Sequence, residues 1–275
     1  MKNTHLKILD FLKSERNFDY SGYHFAMLER RIQNRIIHLG SITPEAYFEY
    51  LQNNPEESTR LIENFMINVS HFFRDPLSFE LLAKVAIPAI IASKQRSDEH
   101  SIRIWSAGCA RGEEAYSVAM LFNEYFAREM EQLNLDFFAT DFDSQAIEKA
   151  KQGIYTSTSM KEVKHGLLKK YFTEGDETYT IIPELKMKIQ FSIYDLLYKN
   201  SYAPSESIFG DFDLVLCRNV LIYFNQEFQK LILNKLIKSL APKGVLMLGE
   251  SEVLGDSFKE KLRQISKYAK IFEKK

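Results

Sequence analysis

The stretch Ile102-Arg103-Ile104-Trp105-Ser106-Ala107-Gly108-Cys109-Ala110-Arg111-Gly112-Glu113-Glu114 decides the fold of this chain. It opens as a short, β-rich apolar run, turns through Gly108 and Gly112, and from Gly112 to about Met130 its apolar residues recur at helical spacing. A strand that passes through glycines directly into a helix is half of a β-α-β unit, so a parallel sheet with crossover helices is predicted. The alternation continues downstream. Residues 136–140 read as a second strand, 144–152 as a second helix, and 212–217 and 245–248 as further strands. A helix over 226–240 lies between the last two, terminated by Pro242 and Gly244. The prediction is a doubly wound, Rossmann-like α/β domain over residues 96–275.

Residues 1–95 carry helical periodicity punctuated by Gly40, Pro44, Pro55, Pro76 and Pro88, which predicts a small all-helical domain with its linker. Within it Phe25, Leu28, Ile32, Ile36 and Leu39 form one apolar stripe, and His24, Arg31, Arg35 and His38 line the neighbouring one. That basic stripe reads either as a solvated face or as a dock for an acidic partner. Residues 155–190 break the α/β rhythm with the pair Tyr171-Phe172, a turn signal at Gly175-Asp176, and alternating runs over 178–182 and 186–191. They predict an inserted helix and a small antiparallel β-subdomain.

Composition bounds what such a chain can do. With 275 residues, 45% of them hydrophobic, there is material for two units and a packed core. The 36 basic and 37 acidic side chains leave a net charge of -1, which removes the bulk electrostatic case for nucleic acid or an anionic membrane. Cys109 and Cys217 each sit in an apolar run, and no spaced set of Cys and His suggests a metal. The first residues lack the apolar core of a signal peptide, and no apolar run approaches the roughly 18 residues of a membrane span, so a cytoplasmic location is expected.

Ligands of open α/β sheets bind beyond the carboxyl ends of the strands, so the loops there carry the chemistry. The first loop lacks the G-x-G-x-x-G spacing and places Glu113 and Glu114 where a dinucleotide enzyme needs room for pyrophosphate. A cationic ligand suits it better. Gly108 permits close backbone approach, and a carboxylate in the first helical turn can accept hydrogen bonds from an ammonium group; the same carboxylates also complement the helix dipole. The second strand ends at Thr140-Asp141-Phe142-Asp143. An acidic group there is the usual acceptor for ribose hydroxyls; Asp141 ends the strand, and Asp143 equally suits a cap on the next helix. A nucleoside without phosphate, carrying a cationic amino-acid tail, describes S-adenosylmethionine.

The sequence resembles the chemotaxis receptor methyltransferases, the CheR-type protein-glutamate O-methyltransferases, along essentially its whole length. The matching pieces are Leu28-Glu29-Arg30-Arg31-Ile32, Asn68-Val69-Ser70-His71-Phe72-Phe73-Arg74, Trp105-Ser106-Ala107-Gly108-Cys109, Gly112-Glu113-Glu114, Ala139-Thr140-Asp141 and Cys217-Arg218-Asn219-Val220-Leu221-Ile222-Tyr223-Phe224. The resemblance implies that Asn68, Ser70 and Arg74 close over the cofactor, with Arg74 near the reacting centre. It further implies that Glu114 holds the methionyl ammonium, Asp141 the ribose, Asp195-Leu196 the adenine side and Asn219-Val220 the floor beneath it. Tyr223 then lies beside the transferable methyl.

Ser70 stands where threonine is usual in the family, and Asp195 where asparagine is common. The insert lacks the glycine-flanked loop that grips a receptor tail, so tethered binding to a receptor C-terminal peptide is not implied. The implied reaction is methylation of glutamates on the cytoplasmic helical bundle of chemoreceptors. Such an acidic substrate gives Arg31, Arg35 and His38 a partner. The presence of Arg74 and Tyr223 favours an enzyme over a cofactor-binding docking module.

Overall fold

The computed structural model describes residues 2–40, 43–65, 70–208 and 210–275. The chain divides into two compact units, residues 1–67 with 223–229 and residues 68–222 with 230–275.

Among its described residues the first unit has four α-helices before residue 67, α1 (Lys2–Arg16), α2 (Phe25–His38), α3 (Pro44–Asn53) and α4 (Pro55–Phe65). Prolines open α3 and α4, where a missing N–H costs nothing, and the Thr43 hydroxyl caps α3 by accepting from the Ala46 N–H at 3.2 Å. The apolar stripe of α2 does what its spacing predicts. Leu28, Ile32 and Ile36 are buried with Ile8, Leu9, Leu12, Tyr47 and Leu61 in one core. Residues 223–229 complete this unit. The Tyr223 carbonyl accepts from the His24 N–H at 3.0 Å, and the Phe224 and Tyr23 rings lie 5.0 Å apart.

The second unit opens with α5 (Pro76–Ser97), whose Phe79, Leu82, Ala83, Ala86, Ile87, Ile90 and Ile91 all enter the α/β core. The boundary between units therefore falls at 67/68 and not near residue 95. Periodicity reveals that one face of a helix is buried; it does not say in which core. By length and composition α5 could cross a membrane, which corrects the expectation that no apolar stretch approaches that length; its apolar residues lie in the α/β core. A π-turn over Leu82–Ala86 precedes Pro88, which has no N–H to offer the preceding turn.

The remaining elements are β1 (Ser101–Ala107), α6 (Glu113–Tyr125), β2 (Asn134–Asp141), α7 (Ser144–Gln152), β3 (Ile154–Thr156), α8 (His165–Tyr171), β4 (Phe172–Glu174) and β5 (Thr178–Ile181). After these come α9 (Pro183–Lys186), β6 (Ile189–Ile193), β7 (Phe212–Cys217), α10 (Gln226–Ser239), β8 (Leu240–Leu248), β9 (Leu262–Gln264) and β10 (Ile271–Lys274). The main sheet has the order β6-β2-β1-β7-β8-β10-β9, parallel from β6 to β8 and antiparallel beyond. The chain winds outward from β1 in both directions, so the switch point lies between β1 and β7.

Two expectations change here. The alternating run at 186–191 belongs to the main sheet: β6 pairs with β2, and only β3, β5 and β4 form the small antiparallel sheet. A period of two specifies two unlike faces and leaves the neighbouring strand open. The helix after β1 also stops at Tyr125, with a separate 3-10 turn at Glu129–Glu131, instead of running to Met130.

Candidate functional site

The register aligns Ala107 with Thr140, Thr140 with Ser192, and Cys217 with Leu248, so the loops after β1, β2, β6, β7 and β8 emerge at one edge of the sheet. That edge is the switch-point crevice, where a parallel sheet leaves room for a ligand.

The loop after β1 is a tight backbone knot. The N–H groups of Gly108 and Cys109 both donate to the Thr140 carbonyl, at 2.8 and 2.9 Å. Gly108, Ala110 and Gly112 have φ of +81°, +49° and +89°, the left-handed region that an ordinary side chain disfavours. A Cβ on Gly108 would overlap the Val220 side chain, so the close approach expected at this glycine is made by the loop after β7.

Asp141 and Asp143 separate cleanly. Asp143 caps α7, accepting from the Gln145 and Ala146 N–H groups at 2.8 and 3.3 Å. Asp141 instead accepts from the Ala110 N–H at 2.8 Å and the Asp143 N–H at 3.0 Å, tying the first loop to the second. The Phe142 N–H also contributes, and since a carboxylate has about four acceptor sites these bonds still leave capacity for a hydroxyl donor. Burial pushes the Asp141 carboxyl above its ordinary value, against the pull of those N–H groups.

Glu114 is the electrostatic centre. Its Oε1 accepts from the Ser106 hydroxyl at 2.8 Å, and its Oε2 lies 3.4 Å from an Arg218 nitrogen, a long contact for a charged pair. Burial pushes its carboxyl up despite Arg218 and Ser106, with nearby Glu252 adding to the rise. With one bond of 2.8 Å and one long contact, the carboxylate keeps acceptor sites of the kind an ammonium group fills. Glu113 is fully buried beside it, and its Oε2 has no hydrogen-bond partner among the described residues.

Sequence reading missed two organisers. Arg218, with a side chain only 2% exposed, donates to the Arg74 carbonyl and to the Asp75 carboxylate, both at 2.8 Å, and lies over the Phe79 ring. It thereby fixes the Arg74 segment, where Phe73 and Asp75 have φ of +53° and +61°. Left-handed backbone on either side of Arg74 costs energy and persists because its surroundings enforce it. Glu252 accepts from the N–H groups of Val220 and Leu221 at 2.8 Å and of Gly249 at 2.6 Å, which pins the loop carrying Asn219 and Val220. Arg218 lies inside a quoted motif and could have been found there; Glu252 offers no signal in sequence.

Asp195 and Leu196 follow β6 at the same edge. The Asp195 carboxylate accepts from the Leu197 N–H at 2.8 Å, and the preceding Tyr194 N–H donates to the Asp141 carbonyl at 3.0 Å. Ser70 hydrogen-bonds Glu113. Asn68 lies outside the described residues. Tyr223 belongs to the helical unit, where its neighbours include His24 and Arg31.

The basic stripe of α2 needs correction. Arg35 makes a bidentate pair with buried Glu57, both bonds at 2.7 Å, and Tyr47 donates to the same carboxylate at 2.8 Å. Its cation is used inside the bundle and is not presented to a partner. Arg31 is half-buried and donates to the Asn64 carbonyl, with burial pulling its pKa down. Only His38 of the three is exposed. Spacing placed them on one side of a helix without revealing that α4 covers it. Among the described residues no group of three or more His, Cys, Asp or Glu could hold a metal ion.

Comparison with known proteins identifies the family. The pattern of the CheR methyltransferase SAM binding domain matches residues 68–271, and that of the CheR methyltransferase all-alpha domain matches residues 6–66. A chemotaxis protein methyltransferase of Listeria innocua is 31% identical over 92% of this chain and 90% of its own length. The chemotaxis protein methyltransferase of Escherichia coli is 33% identical over 82% of this chain and 76% of its own length. An uncharacterized 104.1 kDa protein of Rhodobacter capsulatus is 35% identical over 90% of this chain, which spans 25% of that protein. The chain thus belongs to the CheR methyltransferase family, with an all-helical domain followed by a domain that binds S-adenosylmethionine.

Proposed function

We propose that this protein methylates glutamate side chains on the cytoplasmic helical bundle of chemoreceptors, setting sensory adaptation from a cytoplasmic location. The observation that carries the reading is Glu114, a carboxylate at the switch point of a methyltransferase-family sheet that Arg218 reaches only at 3.4 Å, leaving acceptor sites open. Glu114 holds the ammonium of the cofactor, Asp141 the ribose, Asp195 and Leu196 the adenine side, and Asn219 with Val220 the floor. Asn68, Ser70 and Arg74 close over it. The knotted loop at Gly108 and the spare acceptor sites of Asp141 support this assignment.

S-adenosylmethionine, when bound, supplies a methyl group on a cationic sulfonium for in-line displacement by a glutamate oxygen. A glutamate side chain has a pKa of about 4.3 and is already ionised near neutrality, so the protein needs no general base. Its task is alignment and exclusion of water, and alignment alone can supply roughly 7 to 11 kcal/mol at its upper limit. Arg74 orients the substrate carboxylate through charge-assisted hydrogen bonds, and Tyr223 positions the reacting groups. Arg31, whose charge acts on Tyr223, and the exposed His38 serve the substrate side, while Arg35 acts through the fold of α2. The reading involves no nucleic acid, no insertion into the membrane and no receptor tether.

The test is transfer of a labelled methyl group from S-adenosylmethionine to receptor-containing membranes, beside receptors whose candidate glutamates are alanine. Labelling of the first and not the second is expected. Arg74→Ala should slow it by roughly ten- to a hundredfold, the worth of a hydrogen bond to a charged group. Cofactor binding with no transfer to any receptor would overturn the proposal.

A further inference from the structure

The small β-subdomain sends one buried side chain back to the cofactor loops. Tyr155, in the middle of β3 and 4% exposed, donates its hydroxyl to the Arg111 carbonyl at 2.6 Å. Arg111 lies between Ala110 and Gly112, both left-handed, in the turn whose Ala110 N–H is held by Asp141. The Tyr155 ring meets the fully buried Phe72 edge-on, centroids 4.8 Å apart. Phe172 of β4 approaches the same Phe72 ring at 5.1 Å, and the Phe72 N–H donates to the Ser159 carbonyl at 3.1 Å. Phe72 stands between Ser70 and Arg74.

We propose that Tyr155 is a positioning residue of the cofactor site, its hydroxyl fixing the turn after β1 and its ring fixing the segment that carries Ser70 and Arg74. The inference rests on the reading that these two segments hold S-adenosylmethionine. It gives the β-subdomain a task that requires no receptor peptide. The turn closes one bond of its own, from the Gly112 N–H to the Cys109 carbonyl at 2.9 Å, and the outside donor on the Arg111 carbonyl selects one loop conformation before ligand arrives. The ring contributes by shape: edge-to-face packing penalises lateral drift of Phe72.

Tyr155→Phe keeps the ring and deletes the hydroxyl. Tyr171→Phe is the control, because Tyr171 is also buried and donates to the Glu124 carboxylate at 2.6 Å, at the far end of α6 from the turn. Calorimetric titration of the full chain with S-adenosylhomocysteine, alongside thermal melts, separates the two. For Tyr155→Phe we expect Kd to rise about fivefold with full binding stoichiometry, as suits one lost hydrogen bond; Tyr171→Phe should lower the melting temperature comparably and leave Kd unchanged. Unchanged Kd in Tyr155→Phe, or an equal rise in both variants, overturns the proposal. A fall in stoichiometry at constant Kd overturns it too, since that is loss of folded protein. If the unaltered protein binds no S-adenosylhomocysteine, the functional reading itself fails and this inference falls with it.

Discussion

Each unit buries an arginine–glutamate pair, and the two pairs behave oppositely. In the helical unit Arg35 grips Glu57 with two bonds of 2.7 Å, Tyr47 adds a third, and these bonds draw the Glu57 carboxyl below its ordinary value although burial pushes it up. In the α/β unit Arg218 divides its donors among Arg74, Asp75 and Glu114, reaching Glu114 at only 3.4 Å, and burial keeps that carboxyl raised. The first pair is saturated and serves the fold. The second leaves acceptor sites on Glu114 open, and the proposed cofactor role rests on them. Saturation, more than the identity of the residues, separates scaffold from function.

The contrast can be broken from either side. The largest effect is expected from Glu57→Ala, which strands the Arg35 charge in the bundle and should cost about 3 to 5 kcal/mol in denaturant unfolding while S-adenosylhomocysteine affinity in the folded fraction holds. A loss below about 1 kcal/mol, typical of surface pairs, would show that the pair is not structural. Next comes Glu114→Ala, with little stability change and affinity for S-adenosylhomocysteine down roughly ten- to a hundredfold, the worth of a hydrogen bond to a charged group.

Acid should then pull the two pairs apart. Glu57, depressed in the folded state, contributes stability above the ordinary carboxylate value of 4.5 and loses it as the pH falls through its lower folded pKa. Glu114, raised in the folded state, imposes a cost at neutral pH that is relieved as the pH falls through its higher folded pKa. Melting curves of Glu57→Gln and Glu114→Gln against pH read both. The Glu114→Gln difference should vanish first on acidification, and ligand affinity should weaken over the same interval. The smallest effect is expected at Asp143, where removing the α7 cap costs about 1 kcal/mol of stability and leaves affinity untouched. A shift in affinity there would transfer to Asp143 the ribose role given to Asp141.

Where the chemistry is local, the sequence was readable. The strand–glycine–helix passage from Ile102 to Glu114, the α2 core stripe and the cap at Asp143 all follow from neighbours within a few residues. Where it depends on what packs opposite, reading failed for a physical reason. Arg35 looks like an exposed cation until α4 brings Glu57 beneath it, and the apolar face of α5 fits either core equally well. Strand β6 has the same alternation whether it pairs with β2 or with the small sheet. Glu252 holds three N–H groups that meet only when the loops after β7 and β8 have folded. Long-range partners leave no trace in local periodicity.

The return of residues 223–229 to the helical unit has a consequence for how the chain is made. The His24 N–H waits for the Tyr223 carbonyl, and Gly22 packs so closely on Phe228 that a Cβ there would clash with its ring. At ordinary rates of translation, on the order of ten seconds pass between emergence of α4 and emergence of these partners. The helical unit thus leaves the ribosome ahead of the α/β unit and yet cannot be finished until residues 68–222 of that unit have followed. A fragment cut at residue 67 would lack its own last piece.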